Sequence, residues 1–91
     1  MLYFYILVDP HRDGVYKVGI TKNKEQRLRS YRTASPEAFF HKIYEIPEKK
    51  HEKEILYQLS GSHRVVREVV HGNLRIIQNI IEGYLEENEL L

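Results

Sequence analysis

Cysteine is absent from these 91 residues, which removes disulfide staples, thiolate nucleophiles and thiolate zinc sites together. Its absence agrees with an intracellular protein, in the cytoplasm or, for a viral protein, the host nucleus. No apolar run approaches the ~20 residues that span a bilayer, so no membrane partner is expected. The apolar opening from Met1 to Val8 has no basic residue before it, and Asp9, His11, Arg12 and Asp13 follow at once, so it reads as a strand and not a leader. Net charge is also scarce, at +1, which denies the whole molecule a general attraction for polyanions. The five histidines have no spacing that gathers several on one helix face for zinc.

What is present is ordinary in amount and uneven in placement. Apolar residues make up 42% and charged ones 30%, a balance that folds, and the length supports one domain over 1–91. Residues 11–32 hold seven Lys or Arg against two acids, whereas the last ten hold four Glu and no base. One end of the molecule can draw a phosphate backbone while the other repels it.

Leu2 to Val8 and Val15 to Thr21 are rich in aromatic and β-branched residues and predict two strands of a hairpin, with the polar turn Asp9–Gly14 between them. Asn23, with Gln26 three residues on, caps a helix to about Arg32. Ala38 to Ile46 predicts a third strand, and Glu48 to Ser60 a charged helix ending at Gly61, with Ile55, Leu56 and Leu59 facing the core. Arg64–Val70 reads as a short extended or irregular segment. Asn73 caps a final helix to about Glu87, with Leu74, Ile77, Ile81, Tyr84 and Leu85 on one stripe, broadened by Ile76 and Ile80. The expected class is α+β: a three-stranded antiparallel sheet flanked by helices, closed by a C-terminal helix. So broad a stripe also makes a homodimer through that last helix an expectation.

Strand alternation puts Tyr3 and Tyr5 on one face, opposite to that of Leu2, Phe4 and Ile6. A hairpin centred near His11 sets Tyr5 opposite Lys17 and Tyr3 opposite Gly19. An ammonium beside a phenol favours the phenolate, which would prepare a general base. Gly19 leaves room for close approach to the backbone. Arg27 and Tyr31, four residues apart on the helix, project from one surface, and Arg27 can grip a phosphate through two N–H groups.

These residues resemble a known family. Tyr3-Phe4-Tyr5-Ile6-Leu7 is similar to the GIY half-motif of the GIY-YIG nuclease superfamily, although Tyr3 stands at its first glycine. Lys17-Val18-Gly19 is similar to the YIG half-motif, and Arg27 and Tyr31 fall where that superfamily has its helix arginine and a following Tyr or His. The resemblance runs from about residue 3 to 70. It is greatest to the short branch of bacteriophages and large DNA viruses, with Lys-Val-Gly in the second half-motif and a late basic-Val-x-x-Glu element, here Arg64-Val-Val-Arg-Glu68. Glu52-Lys53-Glu54-Ile55-Leu56 is similar to the helix pattern that carries the metal-binding glutamate. Glu52 is the expected ligand, with Glu54 and Glu68 as alternatives.

The resemblance implies a DNA endonuclease with one Mg²⁺ or Mn²⁺ on Glu52, Tyr5 as base assisted by Lys17, and Arg27 and Tyr31 on the phosphate. Tyr3, Gly19, Lys22, Lys24 and Arg32 are the expected substrate contacts. The competing expectation is the same fold without catalysis, binding nucleic acid or a protein partner. Among the histidines, His41 on the third strand is the best candidate for an accessory proton donor, although a surface imidazole is the favoured expectation for it.

Overall fold

The computed structural model describes residues 1–91. It contains β1 (Leu2–Val8), β2 (Val15–Thr21), α1 (Lys24–Arg32), β3 (Phe39–Ile46), α2 (Lys50–Ser60), β4 (Arg64–Val66), β5 (Val69–His71) and α3 (Leu74–Glu87). The class is α+β, as expected, with a C-terminal helix. The sheet, however, has five antiparallel strands in the order β3-β1-β2-β5-β4, not three. No helix is long and apolar enough to cross a membrane.

The two added strands come from the segment expected to be irregular. Val65 pairs with Val70 and Val66 with Val69, so only Arg67 and Glu68 make the turn. Arg67 takes φ +57, a left-handed conformation that such turns usually give to Gly, Asn or Asp. A run of valines joined by Arg-Glu therefore hides its hairpin. β5 then pairs with the first half of β2, Val15 to Lys17.

The β1–β2 register also differs from expectation by two residues. Tyr5 lies opposite Gly19, Leu7 opposite Lys17, and Tyr3 opposite Thr21. The loop is centred on Arg12 because the Asp9 carboxylate accepts from the His11 N–H at 3.0 Å, the Asp9 carbonyl accepts from the Arg12 N–H at 3.0 Å, and Gly14 turns the chain at φ +72. A shift of two keeps every side chain on its own face, so alternation alone cannot detect it.

Those faces divide the molecule into three layers. Phe4, Ile6, Val18, Tyr44, Ile46 and Val70 cover one side of the sheet and pack on Ile55 and Leu59 of α2 and Ile77, Ile81, Tyr84 and Leu85 of α3. Tyr5 and Leu7 cover the other, with Ala38, Leu28, Tyr31 and Phe40, and carry α1. The caps are as expected: Asn23 accepts from the Gln26 N–H at 3.0 Å and Asn73 from the Ile76 N–H at 3.1 Å. Gly61 ends α2 in right-handed geometry, φ −67, so its left-handed freedom is unused.

The α3 stripe is consumed within the chain's own core. That burial argues against pairing two copies through Ile77, Ile81, Tyr84 and Leu85. Ile76 does not widen the buried face, since it is 51% exposed. Truncation of neighbours should separate the two sides of the helix: Ile77→Ala should destabilise by about 2–5 kcal/mol and Ile76→Ala by less than about 0.5 kcal/mol in urea denaturation. Equal losses would place the helix in a different phase.

Candidate functional site

Gly19 is the floor of the site. It lies on the α1 side of β2, and a methyl group built there would come within 2.8 Å of the Tyr5 hydroxyl and 2.9 Å of Glu68 Oε2. Two oxygens from distant parts of the chain therefore converge on space that only glycine leaves free. Glu68 arrives because the β4–β5 turn continues alongside β2 after β5 itself stops pairing at Lys17. The Val18 N–H donates to the Glu68 carbonyl at 2.9 Å, and Lys17 Nζ lies 3.5 Å from Glu68 Oε1.

From above, α1 adds Tyr31, whose hydroxyl is 3.4 Å from that of Tyr5, with the two rings edge to face at 6.4 Å. The Lys17 ammonium sits 5.8 Å from the Tyr31 ring centre. Arg27, one turn earlier, is close enough that its charge acts on the Tyr5 hydroxyl. Tyr5, Lys17, Gly19, Arg27 and Tyr31 thus share one side of the sheet.

Glu52 enters from the first turn of α2, on the opposite layer. Its Oε2 is buried and has no hydrogen-bond partner. Burial pushes its pKa from 4.5 up to about 7, and the hydrogen bond and repulsion from Glu68 push the same way; Lys17 and the Ile20 backbone oppose them. Of the three glutamates considered from sequence, Glu52 and Glu68 come together. Glu54 is exposed and acts electrostatically on Tyr84.

No group of three or more His, Asp or Glu side chains is arranged as a closed metal cage. Two carboxylates in contact, one with an unpartnered buried oxygen, nevertheless suit a hard dication whose remaining ligands are water and substrate phosphate. Glu52 and Glu68 are the residues that would hold Mg²⁺ or Mn²⁺.

The expected activation of Tyr5 by Lys17 is not what the geometry provides. Tyr5 is 2% exposed, and its pKa is raised by burial first, then by the hydrogen bond and charge of Tyr31, with Glu68 adding to the rise. The cation opposing this is Arg27, whereas Lys17 is engaged with Glu68. The earlier expectation weighed a neighbouring charge and left out desolvation.

Outlying candidates divide in the same manner. Tyr3 faces Thr21, not Gly19, and carries the Lys24 ammonium 4.5 Å over its ring. Arg32 donates from Nε to the Ala38 carbonyl at 2.8 Å, which ties α1 to the start of β3. Lys22 borders a hollow with Arg27 and with Lys49, a residue the sequence did not single out. His41 is bonded to Gln78 of α3 at 2.7 Å, on the other layer, so it is no accessory donor here. The largest surface hollow, about 890 Å³ beside the start of α3, contains none of the clustered groups.

Residues 2–85 match the family described as the T5orf172 domain. No curated protein and no solved structure gives a significant match.

The raised Glu52 pKa has a measurable consequence. Between its ordinary value of 4.5 and about 7, folded Glu52 keeps a proton that the unfolded chain has released, so stability should fall as pH rises through that window. Urea denaturation from pH 4.5 to 8 should show wild type losing stability relative to Glu52→Gln up to about pH 7, with a constant difference above. Parallel profiles for the two proteins would contradict the assignment.

Proposed function

Because this chain belongs to the T5orf172 domain family, a phage-type nuclease-associated family related to GIY-YIG/HNH-like endonucleases, we propose that it is a metal-dependent endonuclease that hydrolyses DNA phosphodiester bonds. The observation that carries this reading is the convergence of Tyr5 and Glu68 on Gly19, with Glu52 beside Glu68 and Lys17, Arg27 and Tyr31 at the rim. Phosphoester hydrolysis asks for a cation site, a phosphate clamp and a group to take a proton, and this cluster contains one of each.

In the reaction a water oxygen bonds to phosphorus, the bond to the leaving oxygen breaks, the water loses a proton and the leaving oxygen gains one. Arg27 and Tyr31 bind the phosphate oxygens and balance the charge that grows on them. Glu52 and Glu68 would hold the dication, which would supply charge stabilisation to the phosphate. Lys17 positions Glu68 through their ion pair.

Tyr5 is the hydroxyl nearest the reacting space. As it stands, burial disfavours its ionised form, so it acts first as a hydrogen-bond donor. Arg27 opposes that burial, and Tyr5 would take the water's proton only from its ionised form. Lys22 and Lys24 border the same side and extend the contact with the DNA backbone. Arg32, committed to Ala38, contributes by holding α1 in place.

The burial of Tyr5 is also the observation that favours a second reading, a domain that binds DNA without cutting it. Plasmid incubated with Mg²⁺ or Mn²⁺ discriminates between them. Wild type should nick it, and Arg27→Ala, Glu52→Gln and Glu68→Gln should each be slower by at least about 100-fold. Equal nicking by all four proteins would refute the assignment, and binding without nicking by wild type would establish the second reading.

A further inference from the structure

The N-terminus of α2 is built against its own helix. Lys49 stands at the start of α2 in helical geometry, φ −63 and ψ −27, and its side chain makes no hydrogen bond there. A cation at this end also opposes the helix dipole. Lys50 is 3.6 Å from Glu48, whereas Lys49 forms no ion pair. Such a local conflict is expected where a residue serves a ligand and not the fold.

Lys49 faces a hollow of about 320 Å³ that it shares with Lys22, Arg27, Leu2, Ile20 and Thr21. Three cations line it and no acid does. None of the three is paired with a carboxylate. Ile20 and Thr21 in its wall directly follow Gly19 on β2, so the hollow adjoins the floor of the site. Arg27 additionally borders a second polar hollow with Thr21, Asn23, Gln26 and Ser30, and so stands between two positions that suit anions.

From this arrangement we propose that Lys22, Arg27 and Lys49 seat a DNA backbone phosphate adjacent to the one being cut. The proposal rests on the DNA-cleaving reading and adds a direction to it: the strand leaves the reacting centre across the start of α2. An anion in this seat would offset the charge that three unpaired cations concentrate there. The seat also requires chain beyond the cut, which an internal phosphodiester provides and a terminal one lacks.

Lys49→Asp separates this role from folding, because its two effects have opposite signs. Aspartate puts an anion in place of a cation at the positive end of the helix dipole, so Tm should rise by about 4 °C, while affinity for DNA should fall. Binding of a 20-base-pair duplex in EDTA, followed by fluorescence anisotropy between 20 and 200 mM salt, reads the second effect. Lys49→Ala and Lys22→Ala should each lower the slope of log K against log salt by about 0.9, and the double variant by about twice that. Lys53→Ala, exposed on the same helix outside the hollow, should leave the slope unchanged. An unaltered slope in Lys49→Ala, with wild type binding normally, overturns the seat while leaving the endonuclease reading intact. Absence of wild-type binding over the whole salt range overturns the DNA reading and the seat with it.

Discussion

The site depends on one unfavourable contact: two carboxylates, Glu52 and Glu68, brought together where one oxygen is buried without a partner. Left alone, like charges would separate into solvent. They stay because each is anchored by backbone geometry that serves the fold. Glu68 is fixed by a tight β turn and the Val18 N–H, and Glu52 by the first turn of a helix whose Ile55 and Leu59 are fully buried. Electrostatic strain of this kind is the condition in which a proton, or a dication, has most to gain by binding.

The sheet supplies the other half of the arrangement. Its two faces are assigned different work: one packs α2 and α3 into the main core, and the other carries α1 over Tyr5 and Leu7. Gly19 is what lets groups from both layers meet, since any side chain there would collide with the Tyr5 hydroxyl and with Glu68. The constellation therefore spans β1, β2, α1, α2 and the β4–β5 turn, and moving any one of them would disperse it. A small domain thereby holds a polar cluster between its two apolar layers without losing either.

Much of this was legible because it is written locally. The caps at Asn23 and Asn73, the alternation of β1 and β2, and the buried phase of α3 all follow from residues within a few positions of one another. The register of the hairpin was not, because a slip of two preserves every facing. The β4–β5 hairpin was hidden for a related reason: Arg67 and Glu68 make a tight turn without the residues that normally announce one. Helical phase alone could not choose among the glutamates, and the choice of Glu52 and Glu68 came from tertiary placement. Tyr5 exposes the limit of reasoning from neighbouring charges, since its burial outweighs the cations near it. Lys49 is marked in the sequence only as a cation at the start of a helix, where the dipole disfavours it.

Burial beside Glu68 holds the proton on Glu52, and titration of the Glu52 side-chain carboxyl carbon by ¹³C NMR measures this most directly. The account predicts a Glu52 midpoint near 7 that returns towards 4.5 in Glu68→Gln. A Glu52 carboxyl that titrates near 4.5 in the wild-type protein, or that is indifferent to the loss of Glu68, would contradict it.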